Sequence, residues 1–393
     1  MFGADESRDV VNVAPGEVFY HVGLAIYLLN YIIFNTTELE GPSSKLALVV
    51  LCLMFVKTML TARVTRTKIL TLGLAAISAL LSWWISEAYQ FLLVIALIVG
   101  AQSVSRKHIA VTMLGTIVIG LAVVFALVFA GAIHDVDFSN ATRLRHSLGF
   151  TYVGMFDMYV LHIAFLTMFL FGRRLNPLFI ASFVALHVFA YSLSNARGVL
   201  VTALTAWFLF ILICKIGMSR KRNKIIHYLA IFSIPICLFI AVYTAIGYKA
   251  GSPTWILVNK LFSGRLGLAQ RAFAHYDVLP FGQSIQWIGN AAVKSGLYRS
   301  SDYNYVDSGY LQVLFQYGYV ALILICVMYI MAALQSYDGE EGSVIDIWVL
   351  VLAVQSLIYP NLLLIAYNGL LLIALNCCFN RQPPRWDKLP NDR

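Results

Sequence analysis

Five arginines and one aspartate carry the chemistry that this sequence most plainly offers. Arg143, Arg145, Arg197, Arg265 and Arg271 lie in connections between long apolar runs. Asp307 directly precedes such a run, in Tyr305-Val306-Asp307-Ser308-Gly309-Tyr310. A guanidinium keeps its charge at any physiological pH and presents a planar fork of donors matched to phosphate oxygens. Several of them on one side of a membrane would suit a diphosphate. A carboxylate at the start of a helix is often a cap, and next to a bound hydroxyl it is a general base. His146 and His275 are alternative bases in the same connections, and Tyr310 completes the candidate set. Arg197 stands out because Ser194-Asn195-Ala196-Arg197-Gly198 joins two apolar runs by a very tight turn. Its guanidinium falls near the membrane boundary, where snorkelling to lipid phosphate is the competing use.

The elements that must position these groups are membrane helices. Of the 393 residues, 60% are hydrophobic and 12% charged, against about 25% charged in soluble domains, and mean hydropathy is +0.79. A crossing needs about 20 apolar residues. The runs Val18 to Phe34, Leu46 to Leu60, Ile69 to Ile85, Phe91 to Val104, Ile109 to Ile133 and Tyr152 to Phe171 approach or meet that length. So do Leu178 to Leu193, Val199 to Ile216, Tyr228 to Ile246, Tyr310 to Leu334, Ile345 to Tyr359 and Leu362 to Phe379. The sequence thus predicts an all-α polytopic membrane protein with about twelve spans, forming one integral domain over residues 1–393.

Orientation follows from Lys and Arg in the short connections. Arg63, Arg66 and Lys68, then Arg106 and Lys107, Arg173 and Arg174, Arg220 to Lys224, and Arg381 to Arg393 all fall on alternate connections. Those connections, and both termini, are expected in the cytoplasm. The opposite connections carry Glu38, Glu40 and Glu87. The net charge of +9 therefore reads as membrane orientation and not as a nucleic-acid surface. The polar segment Met1 to Glu17 gives no removable signal peptide, and six cysteines in or beside apolar runs give no disulfide framework and no metal-ligand spacing.

Two segments on the opposite side are long, Ala132 to Thr151 and residues 248–308. The second exceeds ordinary connections several-fold. Its Trp255, Phe262, Phe273, Tyr276, Phe281, Trp287 and Tyr298 are unlike the composition of a disordered linker, so a folded large extracytoplasmic loop is expected. The stretch Ile345 to Phe379 is broken at Tyr359-Pro360-Asn361 and reads as a helical hairpin with its turn outside. Lys57, Asp157, His162 and His187 fall within runs. They are the alternative ingredients of a proton relay, but no shared face or repeat connects them.

In their order along this topology, these pieces resemble the O-antigen and exopolysaccharide polymerases of the Wzy type, within the O-antigen ligase and polymerase superfamily. The matching segments are Arg145-His146-Ser147-Leu148-Gly149-Phe150, the Ser192 to Gly198 turn, Phe262-Ser263-Gly264-Arg265-Leu266 with Leu279-Pro280-Phe281-Gly282, and Asp307 to Gly318. Arg143 with Gly154 and Arg271 with Gly282 also repeat an arginine-to-glycine spacing found in some members. Where some relatives carry His, this chain has Asp307. The resemblance implies a C-type glycosyltransferase needing no metal and no cofactor. It would act on undecaprenyl-diphosphate-linked oligosaccharide at the outer face of the cytoplasmic membrane, alongside a flippase and chain-length regulator proteins. It further implies Asp307 and Arg265 as catalytic, with Arg197, Arg271, Arg143 and Arg145 on the diphosphate.

Two other classes fit parts of the sequence. A secondary transporter suits about twelve spans, but no inverted repeat or paired Gly/Pro-broken helices are visible. A ligase of the same superfamily would differ only in its acceptor. A binding or scaffold protein leaves the five arginines unexplained.

Overall fold

The computed structural model describes residues 15–39, 43–61, 66–139, 143–217, 220–262, 264–294, 296–334 and 340–376. Arg63, Glu40, Ser263, Cys377, Cys378, the residues before 15 and the basic residues after 380 lie outside the described residues. The helices in chain order are α1 (Pro15–Ile33), α2 (Ser43–Thr61), α3 (Arg66–Ser86), α4 (Gln90–Gly100), α5 (Arg106–Phe129), α6 (Met155–Phe171), α7 (Pro177–Ser194) and α8 (Arg197–Phe210). They continue with α9 (Arg220–Gly247), α10 (Pro253–Leu261), α11 (Arg265–His275), α12 (Asn290–Lys294), α13 (Gly309–Gln312), α14 (Gly318–Leu334), α15 (Glu340–Gln355) and α16 (Leu370–Ala374). No β-strand occurs among the described residues, only isolated bridges such as Thr36 with Phe150.

Eight stretches among the described residues are helical, long and apolar enough to cross a membrane: 16–33, 43–61, 106–129, 155–174, 177–194, 197–215, 224–247 and 309–334. The chain is therefore an all-helical polytopic membrane protein. The other four apolar runs take different forms. In α3 the described apolar stretch is Thr71–Ser86. Helix α4 has 11 residues, about 16 Å at 1.5 Å per residue and half of a hydrocarbon core. Most of its side chains are buried, so its apolar surface answers to protein and not to lipid. Helix α15 ends at Gln355.

The run Leu362 to Phe379 departs furthest from expectation. Residues 356–369 form irregular, mostly buried chain, and α16 covers only Leu370–Ala374. Hydropathy registers such a segment as a span because its side chains are apolar, whatever its backbone does. Non-helical backbone at membrane depth persists only where protein supplies the missing hydrogen bonds. Here His162 Nδ1 donates to the Ala366 carbonyl at 2.8 Å, and His162 Nε2 accepts from the Gly369 N–H at 3.0 Å. Tyr329 donates to the Leu362 carbonyl at 2.9 Å, and Gln90 Nε2 to the Leu363 carbonyl at 3.0 Å. His162 is thus a neutral bridge holding this segment. Lys57 donates to the Gln102 carbonyl elsewhere, His187 lies on a third helix, and among the described residues no hydrogen bond joins any two of Lys57, Asp157, His162 and His187.

The bundle has two distinct ends. One gathers Arg106 with Glu341 at 3.0 Å, and Lys215 against the Arg173 and Leu175 carbonyls. We call it the basic end. The other carries the described residues of segments 130–154 and 248–308, linked where Lys294 donates to the Asp137 carbonyl.

At this loop end, residues 279–282 dock onto a break in the next helix. Helix α13 passes through a π-turn, Val313–Tyr317, and α14 restarts at Gly318 with φ of 90° and ψ of 168°. The freed N–H groups of Tyr319 and Val320 donate to the Leu279 and Pro280 carbonyls, each at 3.1 Å. Gly282, also at positive φ, lies so close that a Cβ there would overlap the Gln316 carbonyl; one on Gly318 would overlap the Pro280 carbonyl. Both positions therefore require glycine for φ and for space. Gly318→Ala and Gly282→Ala are expected to lower the thermal midpoint or abolish monodisperse protein in detergent. Gly115→Ala, in α5 with nothing near its Cβ position, is expected to be neutral or to stabilise by about 0.5–1 kcal/mol. Equal behaviour of the three would contradict the docking.

Candidate functional site

The loop end brings Arg265 and Asp307 together. Gly264 in the left-handed region (φ 86°) sets the start of α11, and Asn259 Oδ1 caps it by accepting from the Leu266 N–H at 3.0 Å. Arg265 is therefore the first residue of a helix anchored by Leu266, Ala269 and Ala272, all buried. Asp307 is carried by the segment entering α13, which is itself fixed at Gly309, whose N–H donates to the Ser356 carbonyl at 2.9 Å. The two side chains, 20% and 13% exposed, form an ion pair with Arg265 Nε 3.1 Å from Asp307 Oδ2. The Nε–H is not aligned on the carboxylate and stays without a hydrogen bond. The guanidinium also lies over the Tyr359 ring, 5.8 Å from its centroid, a cation–π arrangement.

Burial pushes the Asp307 carboxyl above the ordinary carboxylate range, and the neighbouring Arg265 and Arg145 reverse only part of that shift. Burial acts on Arg265 in the opposite sense, but Asp307, Tyr152 and Tyr359 hold its pKa above the usual arginine value. It is a permanent cation. The hydroxyls of Tyr152 and Tyr303 are pushed up by burial and then by the Asp307 charge, so they remain neutral donors. A cavity of about 230 Å³ lies against these groups, lined by Asp307, Tyr152, Tyr303, Tyr305, Tyr359 and Asn290 among others. A second cavity of about 430 Å³ shares Tyr31, Asn35 and Tyr305 with it and adds Asn30, Trp287 and Gln312. Asn30 Oδ1 and Gln312 Nε2 are buried there without aligned partners.

Of the other sequence candidates, Arg145 and Arg271 act on the groups of this centre, and among the described residues no contact joins Arg143 to them. Arg145 acts electrostatically on both Asp307 and Tyr152, with its Nε 3.5 Å from the Ser194 carbonyl. Arg271 is exposed, about 1.7 turns along α11 from Arg265, and acts on Tyr303. Arg197 is the exposed first residue of α8. Its turn adjoins the centre, since a Cβ on Gly198 would stand 3.1 Å from the Tyr359 ring and one on Gly154 would stand 3.0 Å from the Ala196 Cβ. Arg143 is half-buried in the 130–154 segment. Three candidates have other partners. His146 Nδ1 bonds Asp135 Oδ2 at 2.7 Å, and His275 Nδ1 bonds the Arg271 carbonyl at 2.8 Å on an exposed face. Tyr310 is fully buried, donating to the Ala353 carbonyl at 3.0 Å.

The residues that sequence reasoning missed are the tyrosines. Tyr303 and Tyr305 alternate with Asn304, which donates to the Gln286 carbonyl at 3.0 Å and to the Tyr276 hydroxyl at 2.9 Å. That anchor turns both phenols to the cavity. The signal was Tyr-x-Tyr-x-Asp at 303–307. Tyr359 was legible only as the start of a break.

No family model, curated protein or solved structure matches the chain.

A double-mutant cycle checks the pair. Arg265→Met leaves a buried carboxylate uncompensated, and Asp307→Asn leaves a buried cation. In thermal unfolding of purified protein, the two changes together are expected to cost less than their sum by about 1–3 kcal/mol. Additive effects would mean that the two groups do not interact.

Proposed function

We propose that this protein is a polysaccharide polymerase that joins undecaprenyl-diphosphate-linked oligosaccharide repeat units by glycosyl transfer. In this proposal the loop end faces outward from the cytoplasmic membrane and both termini are cytoplasmic. The chain then crosses about twelve times, counting short and irregular segments, and residues 248–308 are extracytoplasmic. The observation that carries it is the Arg265–Asp307 pair, 3.1 Å apart, whose carboxylate lines a cavity together with several tyrosines.

The chemistry asks for two things. A departing diphosphate gathers negative charge, which fixed guanidinium groups stabilise best when already oriented in a water-poor site. Arg265 meets that need, with Arg145 acting on Asp307, Arg271 acting on Tyr303, and Arg197 exposed in the adjoining turn. The attacking sugar hydroxyl must lose a proton, which Asp307 accepts. The hydroxyl oxygen bonds to the anomeric carbon of the donor chain while the bond from that carbon to the diphosphate oxygen breaks. The electron pair leaves with the diphosphate. The misaligned Arg265 Nε–H is a donor that incoming phosphate oxygens can take, and doing so relieves Asp307 of its counter-ion. The larger cavity, with Trp287, Asn30 and Gln312, offers the mixture of aromatic faces and amide groups that sugars bind.

In cells whose polymer depends on this gene product, Arg265→Ala, Asp307→Ala and Arg197→Ala are expected to leave single lipid-linked units and no long chains, read by sizing the lipid-linked glycans. Normal chain lengths in all three would sink the proposal, whereas long lipid-linked chains that persist after deletion would indicate a ligase. The raised Asp307 pKa sets a pH dependence. A base works only when deprotonated, so the rate is expected to fall as pH drops through a pKa above the ordinary aspartate value, and Asp307→Asn is expected to remove that acid limb along with most of the rate. A wild-type rate that is flat down to the normal aspartate range would remove Asp307 as the base.

A further inference from the structure

At the basic end, Glu17 and His21 of α1 and His108 of α5 converge. One ligand atom from each lies within 4.8 Å of the other two, and all three residues are half-buried. Glu17 and His21 are four positions apart, so they share one helix face. Helices α1 and α5 run parallel, since Glu17 and His21 meet His108 near their starts and a Cβ on Gly120 would touch Ile32 further along. We propose that Glu17, His21 and His108 form a binding site for a divalent transition metal of the zinc class.

Two imidazoles and a carboxylate are a donor set for zinc, with three protein ligands and a fourth position left to water. Donors around a tetrahedral zinc at about 2.05 Å stand about 3.3 Å apart. Metal binding requires the three donors to close from 4.8 Å or less to that spacing. Thr112 Oγ1 lies 2.8 Å from His21 Nδ1, a contact of the kind that orients a ligating imidazole and leaves its other nitrogen for the metal. It also comes from α5, so the orienting group and the third ligand share a helix. Lys57, bonded to the Gln102 carbonyl, is close enough to couple electrostatically to Glu17. It opposes a bound cation and so limits affinity.

The consequence for the fold is a clamp between α1 and α5. Tyr31, ten residues beyond His21 on α1, lines both cavities of the loop end, about 15 Å away along the helix. The site is therefore remote from Asp307 and takes no part in the transfer chemistry. It stands whether or not the proposed polymerase activity does.

The test uses tag-free full-length protein in lipid nanodiscs, titrated with Co²⁺ by visible absorption and with Zn²⁺ by calorimetry. One equivalent of each is expected to bind saturably, with Co²⁺ giving the absorption of a low-coordinate site. His21→Ala and His108→Ala are expected to abolish this binding. Thr112→Val, which keeps all three ligands, is expected to weaken it about 10- to 100-fold, and Lys57→Met to tighten it. Zn²⁺ should raise the thermal midpoint of the wild-type protein and not that of Glu17→Gln, as binding to the native state requires. Absence of saturable binding to the wild type, or binding unchanged in the folded His21→Ala and His108→Ala variants, would overturn the proposal.

Discussion

Backbone polar groups that cannot reach water constrain this structure more than any other factor. Between Ser356 and Gly369 the chain leaves the helix while buried within the bundle. Every carbonyl and N–H exposed by that departure needs a partner from protein. His162, Tyr329 and Gln90 provide several of them, and the entering segment Ser308–Gly309 bonds the Ser356 carbonyl from above. The same bonds fix Tyr359 beneath Arg265 and hold Asp307 at the cavity. The break at Gly318 obeys the same constraint, with Leu279 and Pro280 providing the acceptors. The candidate site is thus built beside two interruptions of regular helix, one satisfied mainly by side chains of neighbouring helices and the other by the loop carrying Leu279 and Pro280.

Much of the helical frame was legible because hydropathy and length are the physical requirements of a spanning helix. The eight long helices agree with the apolar runs read from sequence to within a few residues at most ends. The irregular segment was not legible, since an apolar run reports side-chain burial and says nothing about backbone dihedrals. Tyr359-Pro360-Asn361 marked its start, and Asn368-Gly369 marked its end without being read as such. Helix α4 misled for a related reason: apolar residues on all sides fit a span, and they equally fit a short helix enclosed by protein.

The arginines illustrate a different limit. Their residue type and their position in the connections were plain from sequence, but which of them face one another depends on how distant loops pack. Arg265 and Asp307 are 42 positions apart in the chain and 3.1 Å apart in space, whereas His146 and His275 are taken up by Asp135 and by the α11 backbone. Burial then separates the roles of the central pair. Arg265 stays charged among oxygen neighbours, and Asp307 acquires a raised proton affinity that a surface carboxylate would lack. The tyrosines were invisible as a group because four separate segments contribute them.

The central claim is that transfer of glycan from a lipid diphosphate takes place at Asp307 and Arg265. Its most direct test is a reconstituted one, with purified protein and synthetic undecaprenyl-diphosphate-linked oligosaccharide in liposomes, following released polyprenyl diphosphate against glycosidic bonds formed. One diphosphate is expected to be released per bond by the wild-type protein and essentially none by Asp307→Asn, with both proteins folded. Release and bond formation at the wild-type rate in Asp307→Asn would contradict it.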